Sequence, residues 1–387
     1  MTGLNVLTLT ALDAENIDHL AGAEGPCVTI LLPPYHPGAQ TKSMATVVKT
    51  YCQEIERQLS IRKIQASEAA TLIEPLLQVT ESPEFSAGSH WGRAIFRSTD
   101  IFAGLDAVEV IQPSLNIGGC FQLRSVLAEL QSPPEFYLLR LTKKDIELRR
   151  CTRTRAERVA MPKGVPQSLA EAMAFKAPDH DLENRSPGGP STGSMHGVRF
   201  GTGSERENAS GHLADFFKAI DRGFRELTRG SGAPLVLAGV EEDTDRYRAV
   251  SNYPALLKQS INGSGGVPFS EDELRQANAI VRADATERAV TSLLGLRERT
   301  APARISTDVA AILCAAVEGR VSRLYLNQEA RVYGVFDHAR RAGRVNWGEE
   351  DLLNAAAVET LLQRGLVFAL PEDKMPERVA AMAFFRY

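Results

Sequence analysis

Phe136-Tyr137-Leu138-Leu139-Arg140-Leu141 and Ile146-Glu147-Leu148 are two short apolar runs around a polar turn, Thr142-Lys143-Lys144-Asp145. They read as a β-hairpin. Downstream, Leu213, Phe216, Phe217, Ile220, Phe224 and Leu227 recur at helical spacing and form one apolar stripe. Ser210 is placed to be the N-cap of that helix and Gly230 its C′ stop. Pro234-Leu235-Val236-Leu237-Ala238-Gly239 then reads as a central strand. Between hairpin and helix, from Lys163 to Ser210, neither period is sustained, and this stretch holds Ser186-Pro187-Gly188-Gly189-Pro190. A loop of that length inside a compact domain is uncommon, and is usually functional or disordered.

Working outward, a chain of 387 residues is too long for one ordinary core. Three domains are expected: an α+β domain over 1–131, a middle domain over 135–297 and a C-terminal domain over 300–387. Gln131-Ser132-Pro133-Pro134 is the first linker. In the first domain, Cys27 to Leu32 is a buried strand stopped by Pro33-Pro34. Met44, Val48, Cys52, Ile55 and Leu59 mark a helix starting near Thr41 or Ser43. Ala94-Ile95-Phe96 and Ile101-Phe102-Ala103 read as hairpin strands. Ser270-Glu271-Asp272-Glu273 has the form of a capping box. In the last domain, helices over Val309–Val317 and Glu350–Gln363 alternate with strands at Val321–Leu326 and Leu366–Leu370 and a final strand after Ala380. Gly365 is placed as the C′ residue of the second helix. The expected fold class is α/β and α+β multidomain, with middle and C-terminal α/β sandwiches on mixed sheets.

Charge is unevenly divided. The net charge of −4 resolves into −6 over 1–131, +4 over 132–230 and −2 over 231–387. Lys143, Lys144, Arg149, Arg150, Arg153, Arg155 and Arg158 form a basic stripe around the hairpin. Such a stripe suits an RNA phosphate backbone, and guanidinium groups bind phosphate bidentately. The competing reading is a solvated hairpin face.

The five cysteines are an odd number, widely spaced, with no Cys-x-x-Cys. That argues against a disulfide framework and a zinc ribbon and points to a cytoplasmic protein. No apolar stretch has the length of a membrane span, and Met1-Thr2-Gly3-Leu4-Asn5 lacks the basic and apolar regions of a leader. Asp179-His180-Asp181-Leu182-Glu183 carries metal-type ligands, but its spacing fits no tetrahedral template. No metal or cofactor is expected.

The order of hairpin, long loop, helix and Leu235-Val236-Leu237-Ala238-Gly239 strand resembles the middle domain of the archaeal and eukaryotic release factors and of Pelota. It is most similar to the bacterial branch of that superfamily. The resemblance continues through Glu318-Gly319-Arg320-Val321 and Gly365-Leu366-Val367-Phe368-Ala369-Leu370. It implies a Gly-Gly-Gln tip in the loop, reaching the ribosomal peptidyl-transferase centre, and a C-terminal domain that binds proteins. Here Gly188-Gly189 is followed by Pro190, which has no amide side chain and no backbone N–H. Gly188-Gly189 is either a tip without its glutamine or loop filler. His196, Arg199 and Phe200 near the loop's end either touch RNA or form a polar hinge against the helix. The first domain carries neither Asn-Ile-Lys-Ser nor Tyr-x-Cys-x-x-x-Phe, so stop-codon decoding is not expected.

The resemblance implies a ribosome-associated factor that binds the A site, contacts rRNA or tRNA, and works with a translational GTPase. Without the glutamine, a non-catalytic role in rescue or hibernation of idle ribosomes is expected. Two alternatives stay open. One is a peptidyl-tRNA hydrolase using another loop residue such as His196. The other is a stress-response scaffold that does not bind ribosomes.

Overall fold

The structure, a computed structural model, describes residues 10–11, 17–23, 25–34, 43–82, 91–107, 113–142, 145–174, 203–263, 268–337, 342–345 and 350–387. They form two compact units, one of Met1–Pro134 with Arg282–Tyr387, the other of Glu135–Val281. The segments expected as first and last domains therefore lie in a single unit.

The N-terminal part of the first unit carries strands β1 (Thr10–Ala11), β2 (Cys27–Leu32), β3 (Gly92–Arg97), β4 (Phe102–Ala107) and β5 (Ser114–Gly118). Its helices are α1 (Ile17–Ala21), α2 (Met44–Ile61), α3 (Ala66–Thr80) and α4 (Leu127–Leu130). The sheet order is β1-β4-β3-β2-β5, mostly antiparallel with β1 parallel to β4. Ser43 caps α2 by accepting from Thr46 N at 3.2 Å. Period-two alternation splits the sheet between two cores. Val28, Ile30, Leu32 and Ile95 face α2 and α3, meeting Val48, Ile55, Leu72 and Leu76. Cys27, Leu31, Ala94 and Phe96 face the other way.

The second unit is a three-layer sandwich. Its strands are β6 (Phe136–Leu141), β7 (Ile146–Cys151), β8 (Ala156–Val159), β9 (Leu235–Gly239) and β10 (Leu256–Asn262), in the order β10-β9-β6-β7-β8. The hairpin closes as expected, with Thr142 N donating to Asp145 O at 3.1 Å. Helices α5 (Leu169–Ala174), α6 (Gly203–Leu227) and α7 (Glu241–Val250) follow. The apolar stripe of α6 packs on Tyr137, Leu139, Leu141 and Leu148, with Phe224 edge-on to Tyr137 at 5.4 Å. Buried Asp221 of α6 accepts from Ser251 Oγ at 2.6 Å and Asn252 N at 3.3 Å, fixing the exit of α7. The opposite face of the sheet meets the first half of α8 (Glu271–Arg299), where Leu274, Ala277 and Val281 are buried.

Two local expectations are corrected here. Helix α6 begins at Gly203, so Ser210 lies within it rather than at its N-cap. The 163–210 stretch is not structureless throughout, since it contains α5. At six residues, α5 is too short to show a helical period.

The C-terminal part of the first unit adds β11 (Ile305–Ser306), α9 (Val309–Val317), β12 (Val321–Asn327), β13 (Tyr333–Asp337), β14 (Ala342–Val345), β15 (Glu350–Asp351), α10 (Leu352–Leu362), β16 (Leu366–Leu370) and β17 (Ala381–Phe385). One sheet is mixed, β11-β17-β12-β16, with β12 parallel to β16 and antiparallel to β17. The other is β14-β13-β15. The C′ residue after α10 is Arg364, with φ 56°, not Gly365. Gly365 is needed for close approach instead: a Cβ there would lie 2.9 Å from Val321 O.

Helices α9 and α10 join the core on the second face of the N-terminal sheet. Ile312, Leu313, Ala356 and Val358 share one core with Leu31, Phe96, Phe121 and Leu127. Elements expected to build separate cores thus bury each other's apolar faces. No helix among the described residues is long and apolar enough to cross a membrane.

Candidate functional site

The basic stripe separates into two classes. On β6 and β7, Arg140, Glu147 and Arg149 project from the sheet face opposite α6, the face that meets α8. There Arg140 Nη1 donates to Glu147 Oε2 at 2.6 Å, and Arg149 Nη2 pairs with Glu147 Oε1 at 2.5 Å. Arg140 Nε also faces Glu273 Oε1 at 2.9 Å. The Arg149 guanidinium lies 4.0 Å from the ring centroid of Phe269 and donates to Ala156 O at 3.2 Å. Side-chain exposure is 9% for Arg140 and 18% for Arg149, so these guanidinium groups are committed inside the fold.

Glu273 explains part of this arrangement. Its backbone N–H makes the expected cap contact, donating to Ser270 Oγ at 3.2 Å. Its carboxylate does not complete the capping box but turns to Arg140. Burial pushes the Glu273 carboxyl up, against the pull of Arg140. Burial also acts upward on Glu147, but hydrogen bonds from Arg140 and Arg149 outweigh it and hold that carboxyl below its ordinary value.

Arg150, Arg155 and Arg158 are exposed. Arg150 is held loosely by Glu157 at 3.4 Å and Glu135 at 3.7 Å. Surface pairs of that length contribute little, so Arg150 can exchange its partners for phosphate at small cost. Arg158 lies opposite Arg149 across the β7–β8 pair, at the edge of the sheet. Arg153 is half-buried, and its carbonyl accepts from Asn278 Nδ2 at 3.0 Å. Lys143 and Lys144 lie outside the described residues, as do Gly188, Gly189, Pro190, His196, Arg199 and Phe200 and the Asp179–Glu183 cluster.

The foot of the long loop is built precisely on α6. Val165 packs into the space left by Gly223, where an added Cβ would meet Val165 Cγ2. Beside it a cavity of about 230 Å³ lies between Pro166, Ala172, His212, Asp215 and Phe216. Nothing in the local sequence pattern announced it, because its walls come from the 164–172 stretch and α6, far apart in the chain. The Ala-Gly ending of β9 also has a steric reason. A Cβ on Gly239 would lie 2.7 Å from Leu141 O, its neighbour in the parallel register.

Residues 135–320 match the family model described as bacterial archaeo-eukaryotic release factor family 3. Among solved structures, the chain is similar to an archaeal translation termination factor, aRF1, at 12% identity, covering 97% of this chain and 99% of that one with a TM-score of 0.24. It is also similar to Pelota of Archaeoglobus fulgidus, at 10% identity over 98% and 94% of the two chains, TM-score 0.37. Dom34 of S. cerevisiae is similar at 9% identity over 77% and 81%, TM-score 0.33. No curated protein matches the chain. Residues 135–320 are thus similar to the bacterial branch of the archaeo-eukaryotic release factor family.

Proposed function

We propose that the protein is a ribosome-associated translation factor that occupies the A site without hydrolysing peptidyl-tRNA. Its role is rescue or hibernation of idle ribosomes. One observation carries this reading: within a segment that matches a bacterial release-factor family, Gly188-Gly189 is followed by Pro190, where the resemblance calls for glutamine. Proline has no amide to position a water at an ester, and it donates no backbone hydrogen bond. A loop of this kind fills the catalytic centre and leaves the chemistry undone.

On this reading, segment 1–131 is a recognition domain, 135–297 presents the loop, and 300–387 is a protein-interaction domain. Lys143, Lys144, Arg150, Arg153, Arg155 and Arg158 contact rRNA or tRNA phosphates, while Arg149 braces the sheet beneath them. A translational GTPase is the delivery partner, and the cytoplasm is the compartment.

The test is co-sedimentation with empty 70S ribosomes at low and moderate salt, for the wild type and for a deletion of Arg185 to Gly203. Binding that survives moderate salt and weakens on deletion supports the proposal. Absence of binding by the wild type at both salts overturns it in favour of a scaffold. Release of peptide from peptidyl-tRNA, lost in His196→Ala, would instead make the protein a hydrolase.

A further inference from the structure

An aromatic ladder crosses the mixed sheet of the first unit. Phe384 of β17 meets Tyr325 of β12 edge-on at 5.9 Å, and Tyr325 stacks on Phe368 of β16 at 4.9 Å with the planes 16° apart. Tyr325 and Phe368 are direct partners in the parallel register, and β16 is the edge of the sheet. The ladder therefore ends at Phe368, with one ring face used by Tyr325. Where it ends, a cavity of about 230 Å³ opens, lined by Phe368, Gln131, Ala285, Arg288, Ala289 and Ser292. Ala285, Ala289 and Ser292 share one face of α8, and their small side chains leave the space unfilled.

The polar groups in this wall have defined capacities. Ser292 Oγ accepts from Arg323 Nη1 at 2.7 Å and from Tyr325 Oη at 3.2 Å. Its lone pairs are used, and its own proton remains to be donated. Gln131 Nε2 donates to Leu127 O at 3.1 Å and to Ala369 O at 3.2 Å. Both amide protons are used, and Gln131 Oε1 remains as an acceptor. At the rim, Arg288 is 60% exposed and paired with Asp284.

We infer that this cavity binds one nucleotide, its base continuing the stack on Phe368 and its phosphate at Arg288. The cavity is smaller than the roughly 300–1,000 Å³ of drug-sized and cofactor sites, so it takes one ring system rather than a large ligand. A donor, an acceptor, an aromatic surface and a guanidinium together match a base edge, a π face and a phosphate. A phenylalanine or leucine side chain from a partner protein would leave both the Ser292 proton and Gln131 Oε1 buried without partners, which costs binding energy. The nucleotide is either free or part of a single-stranded RNA.

The experiment is calorimetric titration of the full chain with AMP and, separately, with a short single-stranded oligoadenylate. Wild type is compared with Phe368→Leu, Ala289→Leu and Arg288→Glu, each checked for an unchanged fold by circular dichroism and thermal melting. Loss of the stack or filling of the cavity is expected to weaken binding by about tenfold or more. AMP binding that depends on Phe368 identifies a free nucleotide as the ligand; oligoadenylate binding alone, with the same dependence, identifies an RNA strand. Arg288→Glu keeps the test valid if the two cavity variants lose their fold. No binding of either probe by the wild type overturns the inference, as does binding that none of the three changes affects. Neither result depends on whether the protein binds ribosomes.

Discussion

Arg124, from the N-terminal part of the chain, and Asp351, from its C-terminal part, form a buried ion pair, Nη2 to Oδ2 at 2.8 Å with side chains 7% and 9% exposed. Arg124 Nη1 also donates to Ala330 O at 2.8 Å, and Arg124 N donates to Asn354 Oδ1 at 3.1 Å. Asn354 Nδ2 in turn donates to Phe121 O at 2.9 Å. These bonds run beside the core that the two parts share, so the ends of the chain act as one folded body. Arg124→Met would leave the Asp351 carboxylate buried without its main charge partner. We expect a loss of about 3 kcal/mol in chemical denaturation, within the range for breaking buried pairs. A loss under ~1 kcal/mol would show that the pair is not needed to join the two parts.

Gly239→Ala tests the steric reason for the Ala-Gly strand ending. The added methyl faces the Leu141 carbonyl, a backbone atom held in the sheet, so the strain cannot be relieved by rotating a side chain. The expected cost is about 1–3 kcal/mol, seen as a lower melting temperature. Gly223→Ala strains a side chain instead, and Val165→Ala in the same protein should restore the stability it loses.

The two classes of arginine separate by measurement. Arg155→Glu with Arg158→Glu should weaken ribosome or RNA binding and leave the melting temperature unchanged. Each lost phosphate contact lowers the slope of log affinity against log salt by about 0.7–0.9. Arg149→Ala should do the reverse, lowering stability through loss of the Glu147 pair and the Phe269 contact. Equal effects of both changes on binding and stability would refute the division.

Stability against acid follows from Glu147. Its folded-state carboxyl is held below the ordinary value of 4.5, because hydrogen bonds from Arg140 and Arg149 outweigh burial. A depressed carboxyl contributes stability that is present above its unfolded-state value and lost as pH falls through the folded one. Glu273, raised by burial, works in the opposite sense and offsets part of it. Glu147→Gln should therefore be less stable than wild type at neutral pH, and the difference should narrow below pH 4.5 in denaturation curves taken across that range.

Buried and half-buried thiols should resist alkylation. Burial pushes Cys27 and Cys151 up to about 12, and Cys52 and Cys120 up to about 11. Iodoacetamide near pH 8, about where a free thiol begins to ionise, should leave these four unmodified in the folded protein and label them after denaturation. Mass spectrometry of the digested chain reads the outcome directly.

The sequence by itself determined the local elements with a strong period and clear ends. The hairpin at Phe136–Cys151, the face of α6 built on Phe216, Phe217 and Phe224, and the strands at Cys27, Leu235, Val321 and Leu366 all form. Hydrophobic periodicity and turn chemistry act over a few residues, so they can be read without a structure. The same local reading missed α3, whose stripe of Ala69, Leu72 and Leu76 runs through Pro75, and the exposed edge strand β8. The loop tip, from Gly188 to Phe200, is known from sequence only.

Tertiary structure alone decided what pairs across distance. It placed Glu273 on Arg140, Phe269 on Arg149 and Asp351 on Arg124, so that the Arg149 guanidinium is held inside the fold. It also put the first and last parts of the chain around one core. A stripe of charges looks the same in sequence whether its partners are water, phosphate or a carboxylate from a remote helix. The choice depends on burial, and burial is set by contacts between residues far apart in the chain.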